Sequence, residues 1–376
     1  MKLKPLAFTL FFCLFGMVVL PSAHAVPRPP LVVTTVTDVT ALPVAVAVTD
    51  PALRYVGRFD TSKGDPGCEW TASSVVLKFQ GTDLNAQMED PGKNYWEVEI
   101  DGSPAEKIAL GTGSHLYKIA SGLTSGEHLV RLVRATEAYN GHTQFHGFQL
   151  SQGGVLLPAP VPMHRLEVIG DSISCGDSNE GVPNVNNPSN VAENGYFSYG
   201  AMTARNLGAD YSCIAWSGRT MWPKNTVPEI YDRIFPSDAN SPMWDFSKWS
   251  PDAIVINLSG NDFGYGPVDQ AAWDKAYENF IAVLRGHFPN AAIYCGTNVM
   301  LLGDKLAASK TAISQVVHDL NNAGDKNIRY LEFESEDQKN GGVGGHGHPS
   351  VKTDHIMAHK LTAQITMDLG WTAPVP

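Results

Sequence analysis

Charge is scarce in this 376-residue chain. Only 17% of residues are charged, and basic ones are outnumbered, 27 against 38 acidic. The first 25 residues hold two of the lysines and no acid, so the remainder sets 25 basic against 38 acidic side chains. An acidic surface of this kind argues against nucleic acid and anionic membrane as partners. A neutral substrate such as a polysaccharide is compatible with it. Cysteine is also sparse, five in all, with Cys13 in the apolar start of the chain. The other four are Cys68, Cys175, Cys213 and Cys295, too few for a disulfide framework at this length. Cys175, Cys213 and Cys295 each fall in or near an expected strand, which leaves two readings open: one close pair, or buried free thiols. Beyond residue 25 no stretch is long and apolar enough to span a bilayer. A hydrophobic content of 43% excludes global disorder. There is no internal repeat.

The start of the chain is the exception to this restraint. Met1-Lys2-Leu3-Lys4 is basic, residues 6–20 are strongly apolar, and Pro21-Ser22-Ala23-His24-Ala25 ends in an A-x-A pattern. This reads as a signal peptide over 1–25, so the mature protein is expected outside the cytoplasm, extracellular or periplasmic, with no membrane attachment after cleavage.

Residues 26–53 are rich in Val, Thr, Ala and Pro and read as an extended lead-in. Residues 54–157 show short strands broken by turn residues. Trp96-Glu97-Val98-Glu99-Ile100 alternates with period two and runs into Asp101-Gly102, a hairpin signal. Such spacing without helical periods predicts a β-sandwich. A proline-rich linker covers 158–164. From 165 to 376 strands alternate with helices. Strands are expected at 166–169, 211–216, 253–258, 291–295 and 328–333, and helices near 196–207, over 271–288 and after Ser350. That alternation predicts an α/β domain with a parallel sheet covered on both faces. The whole is a two-domain chain.

In a parallel sheet the loops after successive strands meet at one edge. The first such loop begins Gly170-Asp171-Ser172, the second holds Ser217-Gly218-Arg219, and the third Ser259-Gly260-Asn261-Asp262. A glycine-rich run, 341–347, precedes His348-Pro349 and the last helix. Any one of these residues alone has an ordinary structural reading as a turn, a loop start or a solvated histidine. In this order on one sheet edge they suit acyl transfer. Ser172 is the candidate nucleophile and His348 its base. The Ser172 and Gly218 N–H groups with the Asn261 amide are the candidate oxyanion donors. Trp216 and Trp222, beside the second loop, are candidate sugar-stacking residues, although core packing is the commoner role for either.

These blocks resemble the SGNH, or GDSL, hydrolase superfamily. Preceded by a sandwich carrying Tyr55-Val56-Gly57-Arg58-Phe59, Ile100-Asp101-Gly102 and Arg134-Ala135-Thr136-Glu137, and with Trp244-Asp245-Phe246 and Trp249-Ser250-Pro251-Asp252 before the third strand, the chain looks like family two of the carbohydrate esterases. The resemblance implies a jelly-roll-like sandwich followed by a flavodoxin-like three-layer hydrolase domain. It further implies a secreted enzyme that removes O-acetyl groups from plant cell-wall polysaccharide, such as xylan or glucomannan, through an acyl-enzyme and without metal or organic cofactor. A monomer is expected. Two other readings compete: a non-catalytic carbohydrate-binding protein, and a lipase or thioesterase on the same fold. The chain departs from the pattern in three places. The third block reads Ser-Gly-Asn-Asp instead of Gly-x-Asn-Asp, and the positions that carry the triad aspartate hold Gly345 and His346. Gly347 stands where an aromatic residue often precedes the histidine. The expectation is a Ser172–His348 dyad, with a carbonyl of the glycine-rich loop holding the histidine. Glu334, Asp354 and His346 are the alternative supports.

Overall fold

The computed structural model describes residues 44–185, 190–336 and 342–372. The expected signal peptide, residues 26–43 of the expected lead-in and Gly341 of the glycine-rich run lie outside them.

Eleven strands precede the linker among the described residues: β1 (Val44–Val46), β2 (Arg54–Val56), β3 (Gly67–Cys68), β4 (Ser74–Gly81), β5 (Leu84–Pro91), β6 (Tyr95–Ile100), β7 (Ser103–Ala109), β8 (Thr112–Ala120), β9 (Gly126–Arg134), β10 (Thr143–Leu150) and β11 (Val155–Leu157). They form two antiparallel sheets. One runs β1-β10-β5-β8, with β3 also on β10; the other runs β11-β4-β9-β6-β7, with β2 also on β4. Inward residues of both, among them Val75, Leu77, Ala86, Met88, Trp96, Val98, Phe145 and Phe148, make one core. Residues 44–46 fall in the expected lead-in but belong to the sandwich, because Val44, Ala45 and Val46 pair with β10.

The second half is a five-stranded parallel sheet, β12 (His164–Gly170), β13 (Ala209–Ala215), β14 (Ala253–Asn257), β15 (Ala292–Gly296) and β16 (Ile328–Leu331), in the order β13-β12-β14-β15-β16. Its helices are α1 (Ser172–Cys175), α2 (Tyr199–Asn206), α3 (Gly260–Tyr265), α4 (Gln270–His287), α5 (Gly303–Asn322) and α6 (Val351–Leu369). Side chains alternate across the sheet. Val168, Cys213, Val255 and Tyr294 meet α2 and α6 through Tyr199, Met202, Ala358 and Leu361. Ile169, Ile214, Ile256 and Cys295 meet α4 and α5 through Trp273, Tyr277, Ile313 and Val316. The aromatic stripe of α4 is therefore core. All four cysteines after residue 43 are buried and free, the second of the two readings. No described helix is long and apolar enough to cross a membrane.

The period-two pattern of β6 places Glu97 and Glu99 opposite the sandwich core, where water would be expected. Both are buried instead, against the α/β half of the chain. Asn194 donates to Glu97 at 3.1 Å and the Tyr196 hydroxyl to Glu99 at 2.9 Å. Lys107 donates to Glu180 and to the Glu193 carbonyl, and Glu69 accepts from Ser237. Buried polar groups are tolerable only with partners of this kind. The sandwich and the sheet are thus joined by a hydrogen-bonded polar seam, and the sandwich helps to position the edge where the chemistry-bearing loops meet.

Candidate active site

Ser172 opens the one-turn helix α1 at the carboxyl end of β12. Asp171 caps that turn, its carboxylate accepting the Ile173 N–H at 3.2 Å. Burial pushes Asp171 up to about 7. Gly170 lies so close to Ser174 that an added Cβ would fall 2.0 Å from its Oγ. The turn is therefore packed as tightly as the sequence suggested.

Three of the expected blocks are tied together at this edge. The Trp216 N–H bonds to the Gly170 carbonyl at 3.3 Å. Gly218 sits at φ +76°, a conformation that glycine adopts without penalty. The Asn261 amide donates to the Arg219 carbonyl at 2.8 Å and lies 3.4 Å from Asp171 Oδ2. The displaced glycine of the third block has a local cause. A Cβ at Gly260 would lie 2.2 Å from the Asn298 amide nitrogen, whereas Ser259, at φ 176°, is in extended backbone open to any residue and bonds Ser309. Asp262 holds the second block from beneath, accepting from the Met221 and Trp222 N–H groups and the Trp273 indole.

His348 comes from the strap before α6. Its Nε2 lies 2.7 Å from Ser172 Oγ. Its Nδ1 lies 3.1 Å from the His346 carbonyl oxygen. Burial holds the His348 imidazole below its ordinary value, while the Asp177 charge pulls it back up. The buried ring is therefore neutral around pH 7 and able to accept a proton. Asp354 is engaged elsewhere, accepting from the Tyr199 N–H and the Asn179 amide, and Glu334 is exposed.

Trp216 and Trp222 are half-buried and pack against the core on the α4–α5 side. The Arg219 guanidinium lies 4.7 Å from the Trp216 ring centre, covering one face.

Two further carboxylates, Asp177 and Glu137, lie at this edge. Asp177 Oδ2 lies 3.6 Å from His348 Nε2 and 3.7 Å from His346 Nδ1. It follows Ser172 by five residues, and its N–H bonds the Ser172 carbonyl at 3.0 Å. Glu137 reaches across from the sandwich, accepting the Ser217 N–H at 2.7 Å and the Ser217 hydroxyl. Burial pushes it up to about 7. Beside it, Tyr139 is 46% exposed on the sandwich wall. The signal for Glu137 lay in the phrase Arg134-Ala135-Thr136-Glu137; Asp177 had none beyond its nearness to Ser172.

Residues 55–160 match the carbohydrate esterase 2 N-terminal family and residues 166–361 the GDSL-like lipase/acylhydrolase family. The cellulase/esterase CelE of Acetivibrio thermocellus is 39% identical over 328 residues, covering 86% of this chain; the chain spans 40% of that protein's length. An acetylxylan esterase/glucomannan deacetylase of Cellvibrio japonicus is 28% identical over 344 residues, covering 87% of this chain and 91% of that protein. The structure of a family two carbohydrate esterase from Clostridium thermocellum in complex with cellohexaose matches with a TM-score of 0.81 at 37% identity, covering 85% of this chain and 99% of that one. The chain belongs to family two of the carbohydrate esterases.

Proposed function

We propose that the protein is a secreted serine esterase that removes O-acetyl groups from cell-wall polysaccharide, acetylated xylan or glucomannan, through an acetyl-enzyme. The observation that carries this reading is the 2.7 Å contact of Ser172 Oγ with a buried imidazole whose far nitrogen is held by a carbonyl. His348 Nε2 takes the Ser172 hydroxyl proton as Oγ attacks the acetyl carbonyl carbon. The Ser172 and Gly218 N–H groups and the Asn261 amide receive the oxyanion. Collapse breaks the ester bond, and His348 returns the proton to the departing sugar oxygen. Water, deprotonated by His348, then releases acetate and restores Ser172. The Cellvibrio japonicus relative, an acetylxylan esterase/glucomannan deacetylase, supports the choice of substrate. In this reading the sandwich forms one cleft wall with Tyr139, and Trp216 and Trp222 line the opposite one.

The test is acetate release from acetylated xylan and glucomannan, together with a series of acyl esters. Acetyl esters should be hydrolysed faster than octanoyl esters; the reverse order would favour the lipase reading. Asn261→Ala should lower kcat on the order of 10²-fold, the usual loss on removing one oxyanion donor. An unchanged kcat would make Asn261 purely structural.

Asp177 has an expected effect with a definite sign. A carboxylate about 4 Å from an imidazolium contributes roughly 4 kcal/mol of Coulomb attraction at an effective dielectric near 20. Part of this acts when His348 is protonated during turnover. Asp177→Asn should lower kcat on the order of 10- to 10²-fold. The base works deprotonated, so activity falls as pH drops through the His348 pKa. Loss of the Asp177 charge lowers that pKa, so the acid limb of kcat/KM should move to lower pH. A limb that stays in place or moves up would contradict this role.

A further inference from the structure

The hydrolytic reaction uses His348 and leaves a neighbouring arrangement unexplained. Asp177, His346 and His348 each offer one ligand-type atom, and these atoms lie within 4.8 Å of one another. Two imidazoles and one carboxylate with positions to spare are a donor set that zinc accepts. At zinc–ligand distances of about 2.0–2.2 Å, tetrahedral ligands stand roughly 3.4 Å apart. The two Asp177 contacts, 3.6 and 3.7 Å, are within a few tenths of that spacing. The two histidine rings are stacked with centroids 5.2 Å apart, so zinc would draw the exposed His346 ring toward His348 to close the remaining gap.

The surroundings are those of a built site. Zinc-bound histidines commonly hand their other N–H to a carbonyl, which fixes ring orientation. His348 Nδ1 already makes that bond to the His346 carbonyl. The other oxygen of Asp177 accepts the Ser178 hydroxyl at 2.7 Å. The two segments that bring the ligands are laced together, Gly345 N–H to the Ser178 carbonyl at 2.9 Å and His346 N–H to the Val185 carbonyl at 2.7 Å. Their close approach needs glycine: a Cβ on Gly181 would lie 2.8 Å from Gly345 Cα, and one on Gly344 would lie 2.7 Å from the Ser178 carbonyl oxygen. The glycine-rich run thus brings His346 onto Asp177 as well as placing His348.

We propose that Asp177, His346 and His348 form a site for one zinc ion, which arrests the enzyme by coordinating the nitrogen that must accept the Ser172 proton. The ion is an inhibitor, not a cofactor of hydrolysis. The inhibitory half of the proposal rests on the esterase reading above; zinc binding does not. In the bound state the Nε2 lone pair is engaged by zinc, so Ser172 loses its base while the fold is unchanged.

The test uses the full protein, freed of metal by chelation, with zinc chloride as the probe. Calorimetry measures binding, and hydrolysis of a chromogenic acetyl ester measures inhibition against each variant's own metal-free rate. His346→Asn is the decisive variant. It keeps the backbone carbonyl, and asparagine tolerates the φ of +53° found at His346. Even an outer partner of a metal ligand is worth 10- to 100-fold in affinity, so loss of His346 should weaken zinc binding by more than about tenfold. The inhibition constant should shift by the same factor. The proposal is overturned if the wild-type protein takes up no zinc below millimolar concentration, or if His346→Asn binds and is inhibited like wild type. If the metal-free protein cleaves no ester, the esterase reading and the inhibitory role fall together, and calorimetry alone decides the binding site.

Discussion

Ser172→Ala is expected to abolish deacetylation, with a loss on the order of 10⁶ in kcat, the scale seen when a serine hydrolase loses its nucleophile. The fold should survive. The substitution removes the 2.7 Å bond to His348 Nε2, and alanine is a good residue in the first turn of α1. The capping bond of Asp171 to the Ile173 N–H and the bond from Asn261 to the Arg219 carbonyl do not pass through the serine side chain. A circular dichroism spectrum like that of wild type, with acetate release at background, is the expected pair of results. Activity near the wild-type level in a folded Ser172→Ala protein would remove the serine mechanism altogether.

His348→Ala should fall nearly as far, because nucleophile and base act as a unit and are not additive. The more telling comparison is with the residues that could replace a triad acid. In a serine protease, changing the triad aspartate to asparagine costs about 10⁴ in kcat (the standard measured example), largely through the wrong tautomer. Here the partner of Nδ1 is a carbonyl, which accepts only from the Nδ1–H tautomer and so leaves Nε2 free as base. No side-chain substitution removes that carbonyl. Asp354→Asn and Glu334→Gln should therefore stay within about tenfold of wild type, and Asp177→Asn should lie between them and His348→Ala. If a folded Asp354→Asn or Glu334→Gln variant drops as far as His348→Ala, that carboxylate is the acid and the dyad is wrong.

The parallel sheet was legible because its strands are dense apolar runs ended by Gly, Asn or Ser, and because burial on both faces removes polar alternation. Three of the candidate blocks, those of Ser172, Gly218 and Asn261, were legible for a related reason, since each follows the carboxyl end of such a strand. Other features were hidden for physical reasons. The helix α5 begins Gly303-Asp304-Lys305 and spends much of its length on Ala, Ser and Lys, so its inner face, Ala312, Ile313, Val316 and Val317, is a thin signal. Strands β5, β7 and β8 mix inward apolar residues with amides, lysines and histidine, which blurs their alternation. Glu97 and Glu99 alternate correctly, but period two shows only which face a side chain takes. Whether that face meets water or another domain depends on partners nearly 100 residues away. Asp177 was hidden for the same reason: its place beside the two histidines arises from meeting a strap some 170 residues downstream.

The missing triad acid was hidden in a different way. The sequence showed that positions 345 and 346 lack a carboxylate and that glycines there permit unusual backbone. Which carbonyl would turn toward His348 depended on the left-handed conformation of His346 itself, a non-glycine residue. The partner of His348 Nδ1 is thus a backbone carbonyl of the glycine-rich loop, as expected, but side-chain types do not say which one.

The central claim is that Ser172 carries the acetyl group during turnover. The most direct measurement is mass spectrometry of protein quenched in acid during reaction with an activated acetyl ester. The expected result is a protein population heavier by one acetyl group, with the added mass on the peptide containing Ser172 and absent from Ser172→Ala. Acetylation found on another residue, and unchanged in Ser172→Ala, would contradict it.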